Sequence, residues 1–172
     1  MKGDVFTCLT AVLGADGSVT SRDQLVTATA VSVSSVDLLA AKDISMGMKI
    51  RLYVAVVAAV TAAGAATVLF ELIQADDAAL TDDVIVIGQS AVIGKALLPI
   101  GANPIVVEAN PVFPLGTGTP ALTNRGRRFL GCRFTVATGP LTGSTPQFRA
   151  YVTPDTDMEP RLYPSGWNAV GT

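Results

Sequence analysis

An all-β fold is what this chain predicts: a single-domain β-sandwich or jelly roll of about eight antiparallel strands, with extended ends. Three observations carry that expectation. Short stretches alternate apolar and polar residues with the period of two that marks a half-buried strand. Glycine, proline and aspartate separate these stretches densely. Nowhere does a convincing amphipathic helical spacing replace the alternation.

Taken in order, residues 1–24 mix short apolar runs with Gly14, Asp16-Gly17 and Ser18. Asp-Gly is a hairpin-turn signal, so an N-terminal arm or short hairpin is expected. Residues 25–34 alternate small polar with apolar residues and predict one strand. Val36-Asp37-Leu38 leads into Ala40–Ile44 and Met46-Gly47-Met48, where a short helical turn ended by the glycine is expected. Strands follow at 49–58 and 66–74.

The stretch Leu52–Phe70 carries no charge and has the length of a membrane span. Its middle, Thr61–Thr67, is Ala, Gly and Thr, which offers little transfer energy. Its flanks are β-branched and aromatic, so strand, small-residue turn and strand is the preferred reading, with a buried Ala-rich helix second.

Asp76, Asp77, Asp82 and Asp83 surround Ala78-Ala79-Leu80 in an acidic loop. The apolar run Val84–Ile87 predicts a short buried strand, and a further strand is expected from Ser90 within 88–98. Ile105–Glu108 reads as a strand, while the prolines of Pro111–Pro120 require a loop. Residues 125–153 then read as two alternating strands around a Gly/Pro/Ser/Thr turn, a hairpin. Leu130, Cys132, Phe134 and Val136 face one way and Phe129, Gly131, Arg133 and Thr135 the other. On the second strand Phe148, Ala150 and Val152 oppose Gln147, Arg149, Tyr151 and Thr153. The organisation expected is therefore an arm or hairpin at 1–24, a sandwich domain at 25–153 and an extended tail at 154–172.

Composition narrows function. Charged residues make up 15% of the 172-residue chain against 49% hydrophobic, well below the quarter or so of an average soluble domain. Such a chain either buries much of its surface or presents apolar surface to partners. There is no histidine, which removes the commonest general base, nucleophile activator and metal ligand. Cys8 and Cys132 are too few for a zinc site or a disulfide scaffold and read as buried or half-buried thiols. Gly116-Thr-Gly118 lacks the lysine and the strand-to-helix setting of a phosphate loop. The acidic loop could attract calcium, but its spacing fits no EF-hand, and a solvated or partner-facing patch is preferred. Asp155, Asp157 and Glu159 read as solvated charge in the tail. No enzyme, cofactor, membrane or nucleic-acid partner is expected. The opening Met-Lys-Gly-Asp-Val-Phe-Thr lacks a sustained apolar stretch with a cleavage site, so synthesis in the cytoplasm is expected.

Charge segregation is more informative. Residues 71–83 hold five acids and no base, and residues 125–149 hold five arginines and no acid. Arginine suits bidentate pairing with carboxylates at interfaces. The expected contact residues are therefore Arg125, Arg127, Arg128, Arg133 and Arg149, with Asp76, Asp77, Asp82 and Asp83 as the opposed patch setting register between neighbours. Replacing Arg133 and Arg149 with Glu is expected to weaken association and leave the fold intact.

Three segments together resemble the jelly-roll capsid cement (decoration) proteins of tailed bacteriophages. One is Val26-Thr-Ala-Thr-Ala-Val-Ser, Val36-Asp37-Leu38, Ala40-Ala41-Lys42-Asp43-Ile44 and Gly47, then Leu52-Tyr53-Val54. Another is Val68-Leu-Phe-Glu-Leu-Ile-Gln-Ala-Asp76-Asp77, and the third Arg128-Phe-Leu-Gly-Cys-Arg-Phe-Thr-Val-Ala-Thr-Gly139 with Leu141-Thr142-Gly143. The resemblance covers about residues 25–153; the long arm and Pro-rich tail depart from it. It implies a non-enzymatic virion protein on the outer surface of an icosahedral head, bridging major capsid protein subunits against internal DNA pressure. It also implies a homo-dimer or homo-trimer. The alternative is a carbohydrate- or receptor-binding virion module, which needs an exposed aromatic platform drawn from Tyr53, Tyr151, Tyr163 and Trp167. A hydrolase would rest on acidic pairs alone.

Overall fold

The computed structural model describes residues 8–16, 18–38, 49–62, 64–101, 103–111, 127–142 and 146–154. The expected helical turn at 40–47, the loop at 112–120 and the tail beyond Pro154 lie outside these residues.

Around the expected Asp16-Gly17 turn, β1 (Val12–Leu13) pairs antiparallel with β2 (Val19–Ser21). Asp16 stabilises the turn by accepting hydrogen bonds from the Ser18 backbone NH and hydroxyl at 3.0 and 2.6 Å. The stretch expected as one strand at 25–34 is instead two: β3 (Gln24–Leu25) and β4 (Ala30–Val31), followed by β5 (Val36–Asp37). The chain bends between them and changes sheets. The apolar positions change face at the bend: Val26 enters the core between the sheets, whereas Val31 packs on the outer cluster around Leu80 and Val33 is exposed.

The uncharged stretch is strand throughout its ends: β6 (Ile50–Val56), a two-residue β7 (Thr61–Ala62) and β8 (Thr67–Ala75). No helix among the described residues is long and apolar enough to cross a membrane. Then come β9 (Ile85–Gln89), β10 (Ile93–Gly94), a single 3-10 turn at Lys95–Leu97, and β11 (Ile105–Ala109). The last strands are β12 (Phe129–Ala137), β13 (Leu141–Thr142) and β14 (Gln147–Pro154). Val84–Ile87 was expected to be buried, yet Ile85 and Ile87 are half-buried and Val86 is exposed. The reason is position: β9 pairs with β8 at the border of its sheet, with no further strand of that sheet beyond it among the described residues.

Two sheets face each other. One runs β11-β6-β14-β3. The other runs β8-β12-β4, with β9 and β10 also on β8 and β5 also on β12. The chain alternates between them: β3 in one, β4 and β5 in the other, back to β6, across to β8 and β9, then β11, β12 and β14. This alternation is the jelly-roll form of the β-sandwich.

That topology corrects the hairpin at 125–153. Both strands exist with the expected faces, since Leu130, Cys132, Phe134, Phe148, Ala150 and Val152 are all buried. They do not pair with each other. β12 pairs with β8 over Phe129–Ala137, and β14 pairs with β6 over Phe148–Pro154. The connector between them crosses from sheet to sheet at one end of the sandwich. There β13 pairs with β7, which lies on the other sheet-to-sheet connector.

Phe70 and Phe134, cross-strand partners on β8 and β12, meet Phe148 of β14 from the opposite sheet. Their ring centroids lie 5.5 to 6.0 Å apart in the edge contacts, and Phe134 and Phe148 stack at 5.6 Å. The surrounding core comes from inward residues of both sheets, among them Leu52, Val54, Leu72, Leu130 and Val152. Both thiols are buried and unbridged, as expected. Burial pushes the Cys132 thiol far above its ordinary pKa, so it stays protonated and inert.

The two open sides of the sandwich are closed differently. On one, the Gln24 amide of β3 donates to the Val31 carbonyl of β4 at 2.7 Å and accepts from the Val33 NH at 3.1 Å. On the other, β9 and β11 approach closely at Gly88, where a Cβ would sit 2.9 Å from the Glu108 backbone oxygen. Only glycine fits there without parting the sheet borders.

Candidate functional site

The outer faces of the two sheets hold the charged residues singled out above. On β12, Arg133 lies directly across from Glu71 of β8. Its guanidinium makes two parallel hydrogen bonds to the Glu71 carboxylate, each 2.8 Å, and the Thr135 hydroxyl donates to the same carboxylate. Glu71 is 6% exposed at its side chain and Arg133 32%. The Arg133 hydrogen bonds hold the Glu71 carboxyl below the usual glutamate range and the guanidinium above its own, against the desolvation that works the other way.

On β14, Arg149 grips Asp23 in the same forked fashion, at 2.7 and 3.2 Å. Arg128 grips Asp37 of β5 at 3.0 and 2.7 Å and lies over the Phe129 ring with 5.0 Å to its centroid. Arg127 reaches the acidic loop: its guanidinium pairs with Asp83, lies 3.7 Å from Asp76, and donates to the Asp83 carbonyl at 3.0 Å. Arg51 of β6 pairs with Glu108 of β11 at 2.9 Å. Arg125 lies outside the described residues.

The acidic loop has its own construction. The Asp77 carboxylate accepts from the backbone NH groups of Thr81 and Asp82 and from the Thr81 hydroxyl, all between 2.7 and 2.9 Å. Those bonds, led by the Asp82 NH, hold the Asp77 carboxyl below the usual aspartate range. Leu80 takes a left-handed backbone conformation (φ 61°) and turns its side chain inward. It is 1% exposed and packs with Ile73 and Ala75 on the outer side of the sheet, flanked by Val31, Val84 and Phe129. So the loop is strapped over the sheet by one leucine and by Arg127.

The structure therefore joins the two charge patches within one chain. Arg127 meets the acidic loop itself, whereas Arg133, Arg149 and Arg128 take partners that sequence reasoning did not single out as contacts: Glu71, Asp23 and Asp37. Alternation in its strand marked Arg133 as outward, but Glu71 shares its side of β8 with Leu69, Ile73 and Ala75, and its register, 62 residues away, was not legible. The expectation that Arg133→Glu with Arg149→Glu spares the fold does not survive this geometry. Each new carboxylate would face an existing one.

A cleaner probe is Arg133→Met, which leaves Glu71 nearly buried without its cation. Its expected cost is about 2–3 kcal/mol near neutral pH, read from urea unfolding midpoints. In wild type the lowered Glu71 carboxyl contributes stability that is complete above the ordinary glutamate pKa and lost as pH falls through the folded value. In Arg133→Met the Arg133 hydrogen bonds, the largest cause of the lowering, are gone; burial then favours Glu71 protonation against the remaining Thr135 hydrogen bond. The gap between the two proteins should thus narrow on acidification below the ordinary glutamate range; a constant gap would show that the pair contributes little.

Tyr53 of β6 and Tyr151 of β14 are also cross-strand partners. Their rings stack with centroids 5.4 Å apart and planes within 12°. At this separation the near-parallel rings turn one face each on the other. Tyr163 and Trp167 lie outside the described residues. Among the described residues there is no group of three or more His, Cys, Asp or Glu that could hold a metal ion.

A protein-family model, Bbp16, matches residues 20–152. The chain belongs to the Bbp16 family. The match starts within β2, just before β3, and ends within β14, so the whole jelly roll is Bbp16 sequence, while the β1 side of the N-terminal hairpin precedes it. No curated protein is similar enough to match.

Large apolar side chains complete the surface. Val92, Leu97 and Ile100, on the connector from β9 to β11, are 64%, 74% and 60% exposed. Lys95 in the same connector turns its ammonium inward to the Ala62 carbonyl. Val106 and Leu25, on the two border strands of the four-stranded sheet, are 45% and 49% exposed.

Proposed function

We propose that this Bbp16-family jelly roll is a capsid cement (decoration) protein of a tailed bacteriophage, bound to the outer surface of the head and bridging major capsid protein subunits. The observation that carries the reading is the division of its surface. Five arginines are matched to acids inside the chain, while Val92, Leu97, Ile100, Val106 and Leu25 stand in solvent. A surface that satisfies its own charges and exposes large apolar side chains suits lasting contact with protein rather than nucleic acid. Two features add support: the family membership, and the resemblance of the β3–β6, β8 and β12 segments to cement proteins. Repetition over a lattice would multiply modest single contacts into firm attachment.

The test is addition of the purified protein to heads lacking it. Saturable binding, together with a higher temperature or pressure for head rupture, is expected. Heads that bind none, or that bind it without gaining strength, would sink the proposal.

A further inference from the structure

We propose that the chain docks by one end of its sandwich, the uncharged end where the sheet-to-sheet connectors meet, on an uncharged apolar patch of the shell protein's outer surface. This rests on the cement reading and names the part of the molecule that reading would use.

Four stretches of chain meet at that end. β7 pairs with β13 across two of the connectors. The Lys95 NH donates to the Ala66 carbonyl at 3.1 Å, the Gly101 NH to the Val56 carbonyl at 3.4 Å, and the Leu141 NH to the Thr27 carbonyl at 2.8 Å. Residues 25–30, 54–69, 90–106 and 135–147 supply it, and Lys95 is the one charged residue among them. Its ammonium donates to the Ala62 carbonyl, so that cation is turned in among the connectors. The same stretches hold no aromatic residue. Val92, Leu97 and Ile100 are the three most exposed large apolar side chains among the described residues, and all three belong to this end.

Charge collects at the opposite strand ends, about 25 Å away by the rise of a nine-residue strand. Asp37 lies level with Phe129 and Ala75, the first residue of β12 and the last of β8. Asp76, Asp83, Arg127 and Arg128 pair just beyond, and Arg51 with Glu108 sits one residue from the matching ends of β6 and β11. The long stretches outside the described residues, 39–48, 112–126 and 155–172, also join the described chain at that charged end.

This division selects the occupant. Burying a charge in a lasting contact is costly unless it meets a well-placed partner, so an end stripped of charge fits a facing surface that is also uncharged. Nucleic acid and anionic lipid require cations, and a bilayer interface favours aromatic rings; this end offers neither. An apolar protein surface needs neither, and short aliphatic side chains meet it with little conformational entropy to lose. Two copies meeting end to end would bury both docking ends and leave none for the shell.

Leu97→Asp tests this with the full chain and heads lacking the protein, because Leu97 is 74% exposed and its replacement leaves the core intact. Wild-type affinity for heads should change less than about threefold between about 0.05 and 0.5 M NaCl, since no charge lies at the contact. Leu97→Asp should bind at least about tenfold more weakly, with unchanged unfolding midpoint and sedimentation mass. Val86→Asp, at an exposed site of β9 nearer the charged end, should bind as wild type. Wild-type binding that falls about tenfold or more in high salt would overturn the proposal. So would a smaller sedimentation mass for Leu97→Asp, which would assign the end to a second copy, or a lowered unfolding midpoint, which would assign it to the chain's own tail. Equal weakening by Val86→Asp would spread the contact beyond this end and overturn it too. A wild type that binds no heads sinks the cement reading and this inference together. Heads that bind wild type and Leu97→Asp equally well sink the docking end alone.

Discussion

Phe148→Ala should cost about 3–5 kcal/mol. Phe148 is the one ring of the core triad that comes from the four-stranded sheet, and it touches Phe70 and Phe134 of the other. All three are fully buried. Truncation removes the transfer energy of the ring, opens a cavity between two sheets that cannot collapse onto it, and ends two aromatic contacts of about 0.5–1.5 kcal/mol each. A domain of this kind has about 5–15 kcal/mol to lose. Urea unfolding should show a strongly lowered midpoint with little change in slope. Conservative Phe148→Leu should recover much of the loss by refilling the space. A Phe148→Ala variant within about 1 kcal/mol of wild type would mean that the sheets close over the gap, and that the triad does not set their separation.

Strands and their buried faces were legible in the sequence; partners were not. Alternation at Leu130–Val136 and Phe148–Val152 states which side chains leave water. Any antiparallel neighbour on the same core satisfies that pattern equally. In this jelly roll β12 and β14 sit in opposite sheets and still share one core, so proximity in sequence misleads about their pairing. The single strand read at 25–34 failed because its apolar residues alternate on both sides of the bend but on different faces, Val26 inward and Val31 outward. Burial of β9 was overestimated because an apolar run does not reveal that its strand lies at a sheet border. Charges followed the same division. The segregation of arginines from acids is plain in the sequence, but only the β8–β12 register shows that Arg133 and Glu71 neutralise each other. What the sequence could not show at all was the pairing of Arg51 with Glu108 and of Arg149 with Asp23, which requires long-range register.

Gly131→Ala is expected to unstrap the acidic loop at a cost of about 1–3 kcal/mol. Gly131 lies on the outward side of β12, directly beneath Leu80. A Cβ there would come within 2.1 Å of Leu80 Cδ1 and 3.0 Å of its Cγ. Moving one methyl does not relieve both, so the whole Leu80 side chain must leave its place against Ile73 and Ala75. With Leu80 gone the loop retains its Asp77 bonds and the Arg127 pair but loses its apolar anchor, and the left-handed backbone at Leu80 loses what holds it there. The coupling is what distinguishes this account from general crowding. Leu80→Ala alone should be costly for the same lost burial, about 2–4 kcal/mol. In that background Gly131→Ala should be nearly silent, because the atoms it would strike are absent. Measured as a double-mutant cycle by chemical unfolding, strong non-additivity is the expected result; additive effects would separate Gly131 from Leu80. Head binding by Gly131→Ala carries a further consequence for the proposed function. Asp76, Asp82 and Asp83 keep their charges in that variant but not their fixed position. If binding falls while the jelly roll stays folded, the contact reads the placement of the loop rather than its charge alone.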